Sequence, residues 1–140
     1  DPGNLGTIMR TAEGAGMSGV IMSQGSVDLF NPKVVRATMG AIFRVPFYYT
    51  GQLVKVIDIL KENSIPVYGT MMQGSEAYDE LDYTKGAGIV IGNEANGLSE
   101  DVMAHLTKGV RIPMEGSWES LNASVAAAVL MYEVNRQRRK

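Results

Sequence analysis

The chain has 140 residues, a formal net charge of −2 and an apolar content of 45%, which fits one domain with a single core. It contains no cysteine and only one histidine, His105, so disulfides, thiolate chemistry and metal sites built from thiolates or several imidazoles are excluded within one chain. No apolar run approaches the roughly 20 residues of a membrane-spanning helix, and we expect a cytoplasmic protein with no membrane partner and no bound metal.

Helical and extended patterns alternate along the chain, which predicts an α/β fold with a mostly parallel sheet flanked by helices. The spacing of apolar residues predicts helices over 5–15, 31–39, 53–60, 99–106 and 122–138. Short apolar runs predict strands over 20–22, 45–49, 66–70, 89–91 and 110–112. The polar stretch 73–85 between the third and fourth strands is predicted to be a loop or irregular structure.

Residues that cap helices support these boundaries. Asn4, Asn31 and Ser99 each precede a helical pattern and are good N-caps. Gly14 and Gly16 are predicted to end the first helix. These two glycines form a literal GxGxxG motif with Gly19. In a dinucleotide site that motif follows a strand and opens a helix, whereas here it closes a helix, so we expect a turn and no dinucleotide.

Glycine, asparagine and charged residues concentrate in three segments, 1–10, 91–100 and 112–124. The second and third begin where predicted strands end, and ligands of open α/β sheets bind outside the carboxyl ends of strands. We therefore expect these two segments to face one crevice. Taken singly, each has a simpler interpretation: Gly92 and Gly97 as turn residues, Glu94 as a solvated acid and Asn122 as an N-cap.

Together, the three segments resemble the three motifs of the SpoU (TrmH) family of RNA 2′-O-ribose methyltransferases, part of the SPOUT class. The matches are Asn4–Arg10 to NLGxxxR, Ile91–Leu98 to an IGxExxGL type of motif, and Pro113 with Ser120–Ala126 to a proline followed by SLNxSxA. The likeness covers nearly the whole chain. The resemblance implies that residues 1–140 are a catalytic domain, and we expect it to lack the family's first strand and any N-terminal RNA-binding domain.

The resemblance implies a C-terminal deep trefoil knot and a homodimer formed through the N-terminal and C-terminal helices. It implies transfer of a methyl group from S-adenosylmethionine to a ribose 2′-hydroxyl of RNA, with rRNA favoured over tRNA by family habit. The residues implied for the cofactor are Thr70, Gly92, Ile112, Met114 and Leu121. Those implied for catalysis are Asn4, Arg10, Glu94, Ser120 and Asn122. The residues expected to bind RNA are Arg10, Lys33, Arg36 and Arg44.

Several alternatives remain open at this point. Arg10 is a poor base, because guanidinium has a pKa above about 12 and accepts no hydrogen bond. It is therefore expected to bind phosphate and stabilise an alkoxide. Glu94 is expected to orient Arg10 or to take the proton. Trp118 departs from the family pattern and either covers the cofactor, stacks on an RNA base or is an ordinary core or surface residue. His105 is expected to be a surface or packing residue. The rival function is a non-catalytic relative that binds RNA or the cofactor.

Overall fold

The computed structural model describes residues 2–25, 27–93 and 96–139. The chain divides into two compact units, Asp1–Gln52 and Leu53–Lys140, which we call the N-terminal and C-terminal units. Each unit contains parallel strands and flanking helices, so the predicted α/β class is confirmed. No helix in the part of the chain that the structure describes is long and apolar enough to cross a membrane.

The N-terminal unit contains helices α1 and α2 and a two-stranded parallel sheet of β1 and β2. Its elements are α1 (Pro2–Ala15), β1 (Val20–Ser23), α2 (Pro32–Ala37), a 3₁₀ turn (Ala41–Phe43) and β2 (Phe47–Thr50). The sheet pairs Val20 with Phe47 at one end and Ser23 with Thr50 at the other. Met9 on α1 and Val34 on α2 are fully buried where the two helices pack.

Helix α1 begins earlier than predicted and ends where predicted. The proposed N-cap, Asn4, lies inside the helix, so that prediction is wrong: Pro2 falls in the first turn, where proline costs no hydrogen bond. At the other end Gly16 has a φ of +75°. Its N–H donates to Glu13 O, and Met17 N–H donates to Ala12 O, which is the Schellman pattern. Gly16 therefore ends the helix, as predicted, whereas Gly14 lies within its last turn.

Helix α2 has the predicted cap, since the Asn31 side chain accepts a hydrogen bond from Lys33 N–H at 2.9 Å. It ends at Ala37, two residues before the predicted end, because Met39 and Gly40 adopt positive φ values of 51° and 89°. A right-handed helix cannot continue through that conformation.

The C-terminal unit is a four-stranded sheet in the order β4-β6-β3-β5, with every pairing of these described strands parallel. Its elements are α3 (Leu53–Glu62), β3 (Val67–Thr70), β4 (Ser75–Ala77), a 3₁₀ turn (Tyr78–Glu80), β5 (Gly88–Val90), α4 (Glu100–His105), β6 (Lys108–Arg111) and α5 (Ala123–Arg138). Ser99 caps α4 as predicted, accepting a hydrogen bond from Val102 N–H at 3.2 Å.

The core of this unit lies on both faces of the sheet. Val67 packs with Ile57 of α3 and Val102 of α4. The next residue along β3, Tyr68, packs on the opposite face with Leu130 of α5, because successive side chains of a strand alternate between faces. The pair α3 and α4 thus covers one face and α5 the other.

The prediction of a loop over 73–85 is wrong in part, because this stretch contains β4 and the 3₁₀ turn. Tyr83 within it is fully buried and stacks edge-on against Tyr68 at 5.5 Å between ring centres. Gln137 of α5 holds the segment in place: its side chain accepts from Tyr83 N–H at 2.8 Å and donates to Leu81 O at 2.9 Å. These contacts span more than fifty residues of sequence.

Two glycines face each other at the centre of the sheet, Gly69 of β3 and Gly109 of β6. A Cβ at Gly69 would lie closest to Leu106 Cδ1 and 2.7 Å from Leu98 Cδ1, and a Cβ at Gly109 would lie 2.5 Å from Met71 Sδ. Leu106, Leu98 and Met71 therefore occupy space that side chains on these strands would otherwise fill. Leu98 and Met71 belong to segments that follow strands and lead into the site described next.

Candidate functional site

A cavity of about 550 Å³ lies in the C-terminal unit at the carboxyl ends of β3, β5 and β6. Its walls come from residues 70–73 after β3, from 91–93 and 96–98 after β5, from 110–112 and 119–121 around the end of β6, and from 123, 126 and 130 of α5. Two of the three predicted segments therefore face one crevice, as expected. This is where parallel α/β sheets bind ligands.

The cavity is mostly apolar with a few polar groups at its edge. Ile91, Leu98 and Ile112 contribute apolar wall, while Arg111 and Glu119 contribute charge. The volume falls within the range of about 300–1,000 Å³ found for small-molecule sites, which have the same mixture of apolar surface and a few orienting polar groups. The arrangement suits a ligand with an apolar part and a polar or charged part.

The turn after β5 brings backbone to the cavity surface. Asn93 and Gly97 exchange two backbone hydrogen bonds, of 3.2 Å and 2.8 Å, and Gly97 has a φ of +64°. Gly92 lies so close to this turn that a Cβ there would be 2.7 Å from the Gly97 carbonyl carbon. Gly92 N–H is also 3.4 Å from the Thr70 hydroxyl oxygen, which accepts its hydrogen bond. Glycine is therefore required for packing at position 92.

The predicted cofactor residues divide into those that line the cavity and one that does not. Thr70, Gly92, Ile112 and Leu121 all lie on its walls, whereas Met114, half-buried, does not.

The two motif-three residues predicted for catalysis, Ser120 and Asn122, directly precede α5. Ser120 lines the cavity. Asn122 caps α5, its side-chain oxygen accepting from Ser124 N–H at 2.9 Å, from Ser124 Oγ–H at 2.7 Å and from Val125 N–H at 3.3 Å. The simpler interpretation of Asn122 as an N-cap is thus confirmed. A chemical role would then fall to its amide nitrogen or main chain.

Two of the remaining predicted catalytic residues belong to the N-terminal unit. Asn4 is half-buried and Arg10 exposed, both on α1 of the N-terminal unit. Glu94, the third expected catalytic residue of the loops, lies outside the described residues.

The cations predicted to bind RNA lie in the N-terminal unit. Lys33 and Arg36 are exposed on α2, which packs against the helix that carries Arg10. Arg44 is paired with Glu13, its Nη2 donating to Glu13 Oε1 at 3.0 Å. The hydrogen bond from Arg44 lowers the pKa of the Glu13 carboxyl. Arg44 is therefore partly neutralised, whereas Arg10, Lys33 and Arg36 have no salt bridge to any described residue.

These features have a counterpart among known proteins. A model of the "SpoU rRNA Methylase family" matches residues 1–132. The chain belongs to the SpoU family.

Other SpoU proteins match over almost the whole chain. The 23S rRNA (guanosine(2553)-2′-O)-methyltransferase RlmP of Bacillus subtilis is 37% identical over 96% of this chain and 54% of that protein. A crystal structure of AdoMet-bound rRNA methyltransferase from Sinorhizobium meliloti is 35% identical, with a TM-score of 0.86 over 97% of this chain and 52% of that one. The SpoU methyltransferase AviRb of Streptomyces viridochromogenes, in complex with AdoMet, is 34% identical with a TM-score of 0.88, covering 98% of this chain and 56% of that one.

The chain thus spans about half the length of the relatives it matches. The sequence did not indicate the part of the cavity that follows β3, where Met71, Met72 and Gln73 line it. The position of this segment at the carboxyl end of a strand could have identified it. It was missed because it carries no glycine-rich or charged motif at its start.

Three other sequence expectations can be compared with the structure. Trp118 exposes 81% of its surface, so its interpretation as a core residue is excluded. His105 is half-buried and its Nδ1 lies 2.9 Å from Asp58 Oδ1, which agrees with the expectation of a surface or packing residue. Across residues 2–25, 27–93 and 96–139, no three histidine or acidic side chains are grouped closely enough to hold a metal ion.

Proposed function

We propose that the protein transfers a methyl group from S-adenosylmethionine to a ribose 2′-hydroxyl of RNA, with ribosomal RNA as the substrate. The main support is the cavity at the carboxyl ends of β3, β5 and β6, which is built from two SpoU motifs. The relative from B. subtilis is named as a 23S rRNA 2′-O-methyltransferase, and two related structures hold AdoMet. The activity of this chain, which spans about half the length of these relatives, is thus inferred from the activities in their names.

The residues of the cavity fit this cofactor. An adenine ring needs apolar walls and backbone groups that can form hydrogen bonds, which Ile112, Leu121 and the backbone at Gly92 provide. Thr70, at the end of β3, places a hydroxyl beside Gly92. Met114 belongs to the proposed cofactor set on resemblance alone. Glu119 and Arg111 at the edge could hold the amino and carboxylate ends of the methionine part.

The cofactor, when bound, supplies a methyl group on a positively charged sulfur. A new bond joins the methyl carbon to the ribose oxygen while the carbon–sulfur bond breaks, and S-adenosylhomocysteine leaves. The hydroxyl proton must pass to an acceptor. In our proposal the chain aligns the ribose and stabilises the charge that develops on its oxygen. Arg10 binds phosphate and stabilises the alkoxide, while Glu94 orients Arg10 or accepts the proton. Asn4, Ser120 and Asn122 position the reacting groups.

RNA binding is assigned to cations of the N-terminal unit. Among its described residues, Arg10, Lys33, Arg36 and Arg44 outnumber the acids Glu13 and Asp28, whereas the whole chain carries a net charge of −2. Cations that contact phosphates release counterions, and this gives affinity without sequence preference. Arg44 contributes less than the other three because Glu13 already pairs with it.

We also propose features that rest on the family resemblance alone. They are a deep trefoil knot in the C-terminal part, a homodimer formed through α1 and α5, a cytoplasmic location alongside the RNA substrate, and a catalytic domain over residues 1–140.

The deciding experiment measures methyl incorporation from tritiated S-adenosylmethionine into bulk rRNA and bulk tRNA. We expect incorporation into rRNA, with the label on ribose 2′-oxygens after nuclease digestion. Arg10→Ala should abolish incorporation while leaving the affinity for S-adenosylhomocysteine, measured by calorimetry, nearly unchanged. Lys55→Ala, which removes an exposed cation on α3, is the matched control and should remain active. RNA binding without incorporation would favour a non-catalytic relative and overturn the proposal.

A further inference from the structure

Trp118 is the only tryptophan of the chain, and its side chain is 81% exposed in the segment that joins β6 to α5. Tryptophan is among the residues that proteins bury most on average. A tryptophan with this exposure contributes little to the packing of the C-terminal unit. Its large flat surface is thus available to bind something else.

Trp118 directly precedes residues that line the cavity. The next three residues along the chain, Glu119, Ser120 and Leu121, all line it. Because consecutive Cα atoms are about 3.8 Å apart, the Cα of Trp118 lies within about 8 Å of that of Ser120. Met72, 58% exposed, lines the cavity from the segment after β3, the strand that pairs with β6. Two exposed apolar side chains therefore follow neighbouring strands at this site.

The charges around Trp118 favour a nucleobase over a phosphate. Glu115 and Glu119 flank it and both are exposed, so the local potential repels the RNA backbone. A base has no net charge and stacks on an aromatic face, which is how proteins hold unpaired RNA bases. Stacking is also sequence-tolerant, because every base offers a π-face.

We infer that Trp118 is the stacking platform for the base of the nucleotide that is methylated. This inference rests on the proposed function. A ribose whose 2′-oxygen reaches a methyl donor in the cavity carries its base on the adjacent carbon, so the base must lie within a few ångströms of the cavity rim. Trp118 is then a positioning and specificity residue: it fixes the ribose by holding the attached base.

The test uses the fluorescence of Trp118, which reports on this one position because the chain has no other tryptophan. The 140-residue chain is titrated with a ten-nucleotide single-stranded RNA, with an abasic ribose-phosphate strand of equal length, and with S-adenosylhomocysteine. We expect strong quenching by the RNA and little by the other two. Equal quenching by the abasic strand, or quenching by S-adenosylhomocysteine alone, would overturn the inference, the latter by showing that Trp118 covers the cofactor.

Variants provide the second measurement. Trp118→Ala should weaken binding of the same RNA about 5- to 150-fold without changing the salt dependence of binding, because no phosphate contact is lost. Trp118→Phe should recover most of the affinity. Ile59→Ala, which shortens a 55% exposed apolar side chain on α3, is the matched control and should bind normally. Unchanged affinity in Trp118→Ala would refute the inference.

Kinetics separates this inference from the function on which it rests. In Trp118→Ala the KM for rRNA should rise while the KM for S-adenosylmethionine stays the same. If wild-type protein methylates RNA and Trp118→Ala does so with normal KM, the stacking role fails and the methyltransferase proposal stands. If wild-type protein shows no methyl transfer, the proposed function fails, and the fluorescence result still decides whether Trp118 stacks on a base.

Discussion

Replacing Gly92 with alanine would place a methyl group where backbone already lies. The new Cβ would be 2.7 Å from the carbonyl carbon of Gly97 and 3.0 Å from the nitrogen of Leu98. Neither atom can turn aside as a side chain would, because Asn93 and Gly97 are joined by two backbone hydrogen bonds. Overpacking of this kind costs about 1–3 kcal/mol. If the turn opens to relieve the clash, ligand binding must close it again, so affinity should fall by about 5- to 150-fold.

The assay is calorimetric titration with S-adenosylhomocysteine, together with thermal unfolding of the same samples. The matched control is Gly116→Ala, since Gly116 lies in the segment between β6 and α5 and a Cβ there would meet nothing within 4 Å. We expect Gly116→Ala to bind as the wild type does. Equal affinity in the Gly92 and Gly116 variants would show that the turn after β5 does not shape the cofactor site, and the reasoning would fail.

Three further predictions concern single side chains. Asn122→Asp keeps the oxygen that caps α5 and should leave the melting temperature nearly unchanged while lowering methyl transfer. Asn122→Ala should lower methyl transfer and also cost about 1 kcal/mol of stability. Full activity of Asn122→Asp would show that the side-chain amide has no role in the mechanism. Hydrogen bonds from Arg136 hold the pKa of the buried Glu133 carboxyl below its usual 4.5. Its contribution to stability is thus complete above that pH and lost as the pH falls further, and Glu133→Gln should show a flatter acid dependence in thermal unfolding. Arg10→Lys should be inactive in the methyl-transfer assay if the planar guanidinium is required. Full activity of this variant would show that only the positive charge of Arg10 is needed.

Local signals in the sequence were enough to predict most of the fold. The cap at Asn31, the cap at Ser99 and the glycine end of α1 depend on neighbouring residues only, and the structure has all three. The stretch around Tyr83 could not be predicted in this way. It is polar in composition, and its burial depends on Gln137, which is 54 residues away along the chain.

The same distinction applies to the candidate site. The rule that ligands bind at the carboxyl ends of parallel strands led from sequence to two walls of the cavity. It could not show that Met114 lies off those walls, because the course of an irregular segment is decided by tertiary contacts. The sequence around Asn122 fitted both a helix cap and a catalytic residue. Only the hydrogen bonds that its side chain accepts in the structure establish the cap.

The facing glycines of β3 and β6 limit how this pocket could be re-engineered. Leu98 and Met71 line the cavity and also fill space above these two glycines, Leu98 together with Leu106 above Gly69 and Met71 above Gly109. Extra room for a bulkier ligand would therefore have to come from shortening Leu98 or Met71. A side chain added at Gly109 would press on Met71, whereas one added at Gly69 would press on Leu106 as well as on Leu98.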